Sequence, residues 1–141
     1  MAITETVVYA LHLLFAGLWT GSVLFAAATL PGIAGGLPAS ARDSFVGALR
    51  NVSRASSAVL LLSGGYMLTL AGYTDGGTLT GTGRGHLVLT MLVLWLALAG
   101  LTEVAAGRLE DSEDASSILY GASVVAVLLL LDAGALASGM F

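Results

Sequence analysis

Two histidines and one aspartate are the residues of this chain best placed to do chemistry in an apolar setting. His12 and Asp132 each lie inside a long apolar stretch, and His86 follows a glycine-rich segment at the start of another. A charged side chain at the centre of a membrane helix costs roughly 2.5–3.5 kcal/mol on insertion scales, so it is expected to be paired or functional. His12 and Asp132 are therefore the first candidates for a functional site.

Two methionines extend this set, because Met67 and Met91 lie in the neighbouring apolar stretches. Imidazole and thioether groups bind copper and haem iron, and thioether selects Cu(I). We therefore expect a metal set of His12, His86, Met67 and Asp132, in which the aspartate binds the ion or orients a ligating histidine.

Each of these residues also has a structural explanation. A histidine inside a membrane helix, such as His12, can simply donate a hydrogen bond to a neighbouring helix, or it can carry a proton. His86 can be a solvated residue at a helix end, and both methionines can be packing residues. Glu103 stands near the end of its apolar stretch, where we expect it to reach lipid headgroups or Arg108.

The composition shows which elements must position these residues. The chain has 141 residues, of which 57% are hydrophobic and 10% charged, with a mean hydropathy of +0.93. Soluble domains carry about 25% charged residues, so lipid must solvate this chain. The lack of cysteine excludes disulfides and thiolate metal sites, and the net charge of −4 argues against a nucleic-acid partner. The acidic, lysine-free composition resembles that of haloarchaeal proteins.

Four stretches are long enough to cross the hydrocarbon core, which takes about 20 apolar residues in a helix. They cover residues 6–28, 55–73, 85–106 and 116–139, and Ser63-Gly64-Gly65 interrupts the second. Residues 41–54 alternate arginines with apolar residues at helical spacing, which predicts an amphipathic helix at the membrane interface. The sequence therefore predicts an all-α integral membrane protein, a single-domain antiparallel four-helix bundle.

The arginines predict an orientation, because basic residues near the ends of spans stay in the cytoplasm. The first connection holds Arg42, Arg50 and Arg54 and the third holds Arg108, whereas the second holds only Arg84. We therefore expect a multi-pass protein of the cell membrane with both termini outside.

Glycines indicate how the spans meet other helices. Gly17 and Gly21 form a GxxxG pattern in the first span, which lets two helices approach closely in lipid. The pattern serves either packing within the chain or a homo-oligomer. Besides membrane lipid, the expected partners are therefore a second copy of the chain or another membrane subunit.

Short motifs resemble the copper-resistance D (CopD) family over about residues 8 to 108. His12, Trp19, Gly21 and Pro31 are similar to the opening helix of that family. The stretches RNVSRASSAVLLLSGGYML and GRGHLVLTMLVLWLALAGL are similar to the arginine-serine and glycine-arginine entries to its next two helices. This resemblance implies a protein that handles copper ions at or across the membrane.

The resemblance extends to the HemJ-type protoporphyrinogen oxidases, which share the first-helix histidine and are associated with b-type haem. That group expects a lysine in a later helix, and this chain contains none. The missing lysine puts the oxidase activity in doubt. The resemblance still leaves haem b binding as an alternative, through His12 with His86 or Met91, in electron transfer or oxidoreduction. A structural subunit of a membrane complex, in which Asp132 and Glu103 pair with another chain, is the third hypothesis.

Overall fold

The computed structural model describes residues 2–72 and 76–139, and almost all of these are helical. No strand occurs in these ranges. The elements are α1 (Ile3–Ile33) with a 3-10 turn (Ala34–Gly36), α2 (Ala39–Leu70), α3 (Gly76–Gly81), α4 (Gly83–Glu110) and α5 (Ser116–Ser138).

Three helical segments are long and apolar enough to cross a membrane, namely Ile3–Gly36, Gly83–Glu110 and Ser116–Ser138. Even α5, with 23 residues, extends about 35 Å, which exceeds a hydrocarbon core of about 30 Å. These segments confirm the prediction of membrane-spanning helices. The second predicted span lies in α2, which is not among the three, and its predicted end at residue 73 lies outside the described residues.

Helix α2 is one continuous helix of 32 residues. The predicted interruption at Ser63-Gly64-Gly65 is wrong, because the helix passes through these residues without a break. The predicted amphipathic segment forms the first half of the same helix. It packs Val46 and Leu49 into the protein core, and its position at the membrane interface stays a prediction.

The four long helices pack side by side, and each contacts two others. α1 contacts α2 and α5, and α4 contacts the same two helices. Hydrogen bonds between residues far apart in the sequence show that neighbouring helices run antiparallel. His12 near the start of α1 is bonded to Ser63 near the end of α2, and Arg84 at the start of α4 to Leu136 near the end of α5. We call the end where α1 begins and α5 ends the histidine end, and the opposite end the arginine end.

The interior consists of two buried clusters, and alanines at the contacts allow close approach of the helices. The cluster nearer the histidine end contains Trp19, Val23, Leu98, Ala122 and Ala126. The cluster at the arginine end contains Ala26, Ala27, Leu30, Val46, Ala105, Ala106, Leu109, Ala115 and Leu119.

Large apolar side chains cover the outside of the helices. Leu62, Phe25, Val93 and Leu131 are each more than half exposed. A soluble protein rarely shows such a continuous apolar surface, so this surface suits lipid.

The glycines of the GxxxG pattern also lie on the outside. A Cβ atom added at Gly17 or Gly21 would meet nothing within 4 Å. These glycines therefore do not serve packing between the described helices. A homo-oligomer through this face stays a prediction.

An ion-pair network ties α2 to α4 at the arginine end. Arg54 Nε lies 2.8 Å from Glu103 Oε1, Arg50 Nε lies 3.6 Å from Glu103 Oε2, and Arg50 also pairs with Glu110. The expected pairing of Glu103 with Arg108 is wrong, because two arginines of α2 pair with it instead, whereas its contact with headgroups stays a prediction. Arg108 instead donates to a backbone carbonyl in the α4–α5 connection.

Helix α3 folds back against the start of α4, and Gly85 makes this possible. A Cβ atom at Gly85 would lie 2.3 Å from the Thr78 carbonyl oxygen and 2.6 Å from Leu79 Cα. The Thr82 hydroxyl caps α4 by accepting from the Gly85 amide at 3.0 Å. Only a residue without a side chain fits at this contact.

Replacing Gly85 with alanine should therefore destabilise the protein by about 1–3 kcal/mol, the usual cost of overpacking. The measurement is thermal or SDS-induced unfolding of the purified protein in detergent. Gly100→Ala in the same helix is the matched control, because its added methyl group meets nothing within 4 Å. Equal stability of the two variants would contradict the close packing of α3 on α4.

Candidate functional site

His12 lies on the side of α1 that faces the other helices. It stands about two helical turns before Trp19, and Trp19, Val23, Ala26 and Leu30 continue the same buried side of the helix. The His12 side chain is half-buried, and its Nδ1 atom lies 2.7 Å from the Ser63 hydroxyl of α2. One predicted site residue is therefore held between two helices.

The hydroxyl of Ser63 determines which nitrogen of His12 carries the proton. Ser63 Oγ lies 2.6 Å from the Val59 carbonyl oxygen, and a carbonyl can only accept, so the single hydroxyl proton is donated there. Ser63 must then accept from His12 Nδ1–H. The neutral ring consequently keeps its lone pair on Nε2, which has no hydrogen-bond partner among the described residues.

Gly64 provides the space for this ring. A Cβ atom at Gly64 would lie 3.2 Å from His12 Cε1, which is tighter than ordinary van der Waals contact. The serine that orients the imidazole and the glycine that admits it are thus consecutive residues of α2. Met67 lies one turn beyond Ser63 on the same side of α2 and is half-buried.

Asp132 is the buried acidic residue of α5, and its side chain is 7% exposed. Its Oδ2 atom is buried and has no hydrogen-bond partner within the part of the chain that the structure describes. One turn further along α5, the Leu136 carbonyl accepts from Arg84 of α4 at 3.1 Å. The carboxylate therefore lies just inside a contact that closes the α4–α5 pair at the histidine end.

His12 and Asp132 occupy the same layer of the protein. Measured along the helix axes at about 1.5 Å per residue, His12 lies about 13 Å from Ile3 and Asp132 about 9 Å from Ser138. Helix α1 contacts α5, so the two residues stand on adjacent helices near one end. No hydrogen bond joins them among the described residues, and an ion or water would have to lie between them to link them.

His86 points away from this layer. It is exposed, and its Nε2 atom lies 2.7 Å from the Thr80 backbone carbonyl, which makes Nε2 the protonated nitrogen. Met91 is half-buried on α4, across the helices from α1. Neither residue makes a hydrogen bond or ion pair with His12 or Asp132, so the roles predicted for them stay predictions.

No three histidine or acidic side chains converge as a metal site anywhere in residues 2–72 and 76–139. A metal set built from His12, His86, Met67 and Asp132 therefore stays a prediction. In such a set, the sulfur of Met67 would have to supply one of the ligands.

Ser63 is the functional residue that the sequence analysis missed. A signal was present in its spacing, because Ser53, Ser56 and Ser63 fall on one side of α2 and all three are buried. Two further buried polar atoms, Ser56 Oγ and Trp19 Nε1, lack a hydrogen-bond partner in the described chain. The interior thus contains a polar strip that large apolar residues hide from lipid.

Comparisons with known proteins return nothing that assigns this arrangement to a family. No protein-family model matches the chain, and neither the curated proteins nor the solved structures include a match.

Proposed function

We propose that this protein binds copper ions through His12 and handles them at or across the cell membrane. The observation that carries the proposal is the hydrogen bond from His12 Nδ1 to Ser63, which leaves Nε2 as a free, oriented ligand atom. Histidines that bind metals almost always donate their other ring N–H to a fixed acceptor. The serine, itself anchored on a backbone carbonyl, is such an acceptor.

Copper is favoured over harder ions by the neighbouring side chain. Met67 lies on the same side of α2 as Ser63, and a thioether selects Cu(I) among the metals that imidazole accepts. The resemblance of the first three long helices to the CopD family supports the same ion.

Asp132 would balance the charge of the ion. A cation away from water is costly, and a carboxylate buried without a partner is costly as well, so each reduces the cost of the other. Because Asp132 stands in the layer of His12 on the adjacent helix, it is the residue to supply this negative charge.

Haem b is the second candidate, since the same Nε2 atom is also a suitable axial ligand for haem iron. In that case His86 or Met91 would supply the other ligand, and the protein would serve electron transfer or oxidoreduction. A structural subunit of a membrane complex is the third candidate.

We further propose that α2 crosses the membrane, which completes an antiparallel bundle of four spans with both termini outside. Three contacts support this, because Arg54 reaches Glu103, Trp95 donates to the Ser57 carbonyl, and Ser63 accepts from His12. They fasten α2 along its length to α1 and α4, both apolar enough to span. The buried serines explain why α2 is less apolar than its neighbours.

The copper proposal predicts one bound Cu(I) per chain in the purified protein, and loss of that copper in His12→Ala. The measurements are metal analysis, competition with a Cu(I) chelator and an absorption spectrum. Leu13→Ala is the control, because Leu13 lies beside His12 in α1 but is 70% exposed, so its loss should leave copper bound. Full copper stoichiometry in His12→Ala would exclude His12 as a ligand, and a Soret band without copper would favour haem.

The orientation of the imidazole gives a second prediction. Ser63→Ala removes the acceptor for Nδ1–H and should weaken copper binding by about 10–100-fold, as loss of a ligand-orienting group does. Ser57→Ala is the control, because its hydroxyl only donates to a carbonyl of its own helix. Unchanged chelator competition in Ser63→Ala would contradict the role of the serine.

The topology is tested by single cysteines, since the chain has none of its own. Gly35→Cys before α2 and Gly81→Cys at the end of α3 place thiols at exposed sites with nothing within 4 Å. In intact cells a membrane-impermeant maleimide should label position 81 at once and position 35 only after permeabilisation. Labelling of both positions from the same side would show that α2 does not cross.

A further inference from the structure

A cavity of about 380 Å³ opens at the arginine end, between the end of α1, the start of α2 and the α4–α5 connection. This volume falls in the range of about 300–1,000 Å³ that is usual for small-molecule sites. Its lining contains both apolar and charged residues. The residues that matter here are the apolar Leu30, Leu109 and Leu119 and the charged Arg42, Glu113 and Asp114.

Arg42 is the distinctive residue of this cavity. Its Nε atom is buried and has no hydrogen-bond partner, and Arg42 makes no ion pair within the described ranges. Each of the other arginines does have a protein partner. These are Arg50, Arg54, Arg84 and Arg108. Burying part of a guanidinium without a hydrogen-bond partner costs free energy. We therefore expect an anion from outside the chain to accept hydrogen bonds from Arg42.

The position of the cavity indicates where that anion comes from. Leu30 and Leu109 lie at the ends of α1 and α4, and Leu119 lies in the first turn of α5. The ends of spanning helices stand at the level of the lipid headgroups. A cavity at that level with both leucines and charged residues in its lining fits an amphiphile better than a free ion.

The carboxylates restrict the charge that the cavity accepts. Hydrogen bonds from the Ser116 hydroxyl at 2.7 Å and the Ser116 amide at 3.0 Å hold the pKa of Asp114 below its usual value, with a further contribution from Arg108. Asp114 is therefore negatively charged at neutral pH, and Glu113 lies beside it. Two carboxylates in the lining beside one arginine disfavour a doubly charged anion more strongly than a singly charged one.

We infer that this cavity binds the headgroup of one membrane phospholipid of the phosphodiester type, with Arg42 donating to its phosphate oxygens. A phosphodiester carries one negative charge, whereas a phosphomonoester approaches two at neutral pH. The leucines of the lining receive the apolar carbons next to the headgroup. The inference requires a membrane-spanning protein but is independent of copper and of His12, which lies at the opposite end.

The test is native mass spectrometry of the detergent-purified protein with added phosphatidylglycerol or phosphatidic acid. The wild-type chain should retain one phosphatidylglycerol and hold phosphatidic acid more weakly. Arg42→Gln should weaken phosphatidylglycerol retention by about 10–100-fold, the loss expected for hydrogen bonds to a charged group. Arg84→Gln, the same change of charge at the histidine end, should retain the lipid.

Three results would overturn the inference. The first is equal retention of phosphatidylglycerol by wild type and Arg42→Gln, and the second is preference of the wild type for phosphatidic acid. The third is competition by inorganic phosphate as effective as that by the lipid, which would assign the cavity to free phosphate. If Arg42→Gln does not fold, Arg42→Lys, which keeps the charge, should show intermediate retention, and the preference of the wild type between the two lipids still decides.

Discussion

The constraint on which this structure depends is that polar groups of apolar helices have to be kept away from lipid by the rest of the protein. Lipid offers no hydrogen bonds, so a helix that carries polar residues has to turn them inward. Helix α2 does this with Ser53, Ser56 and Ser63, while Leu61 and Leu62 remain on the outside. The helix with the least apolar sequence is therefore the one that lines the interior and orients His12.

Much of the fold could be predicted, because a membrane-spanning helix requires a uniformly apolar sequence, and such a stretch is visible without any tertiary contact. The stretches that form α1, α4 and α5 are uniformly apolar. The limits of α2 could not be predicted from its own residues. Its arginines Arg50 and Arg54 look like the end of a membrane segment, but acidic residues of α4 neutralise them, and that pairing exists only once the two helices are side by side.

The same holds for the candidate site. Some of its residues can be recognised from their own sequence context, and others only from contacts between helices. His12 and Asp132 stand out in the sequence because a polar residue in an apolar stretch is costly wherever its partner lies. Ser63 does not stand out, since serine is common in membrane helices and its role depends on the ring that meets it from α1. For His86, a position at the start of a helix leaves the direction of the ring open, and the Thr80 carbonyl decides it.

The continuity of α2 has a mechanical consequence. A break at Ser63-Gly64-Gly65 would have let the two halves of the helix hinge, but the backbone stays helical from Ala39 to Leu70. The arginines that pair with α4 and the serine that contacts His12 therefore lie on one continuous, stiff helix, which is about 48 Å long at about 1.5 Å per residue. A stiff helix of this kind acts as a lever, and a tilt imposed at the arginine end shifts the residues that it carries near the histidine end.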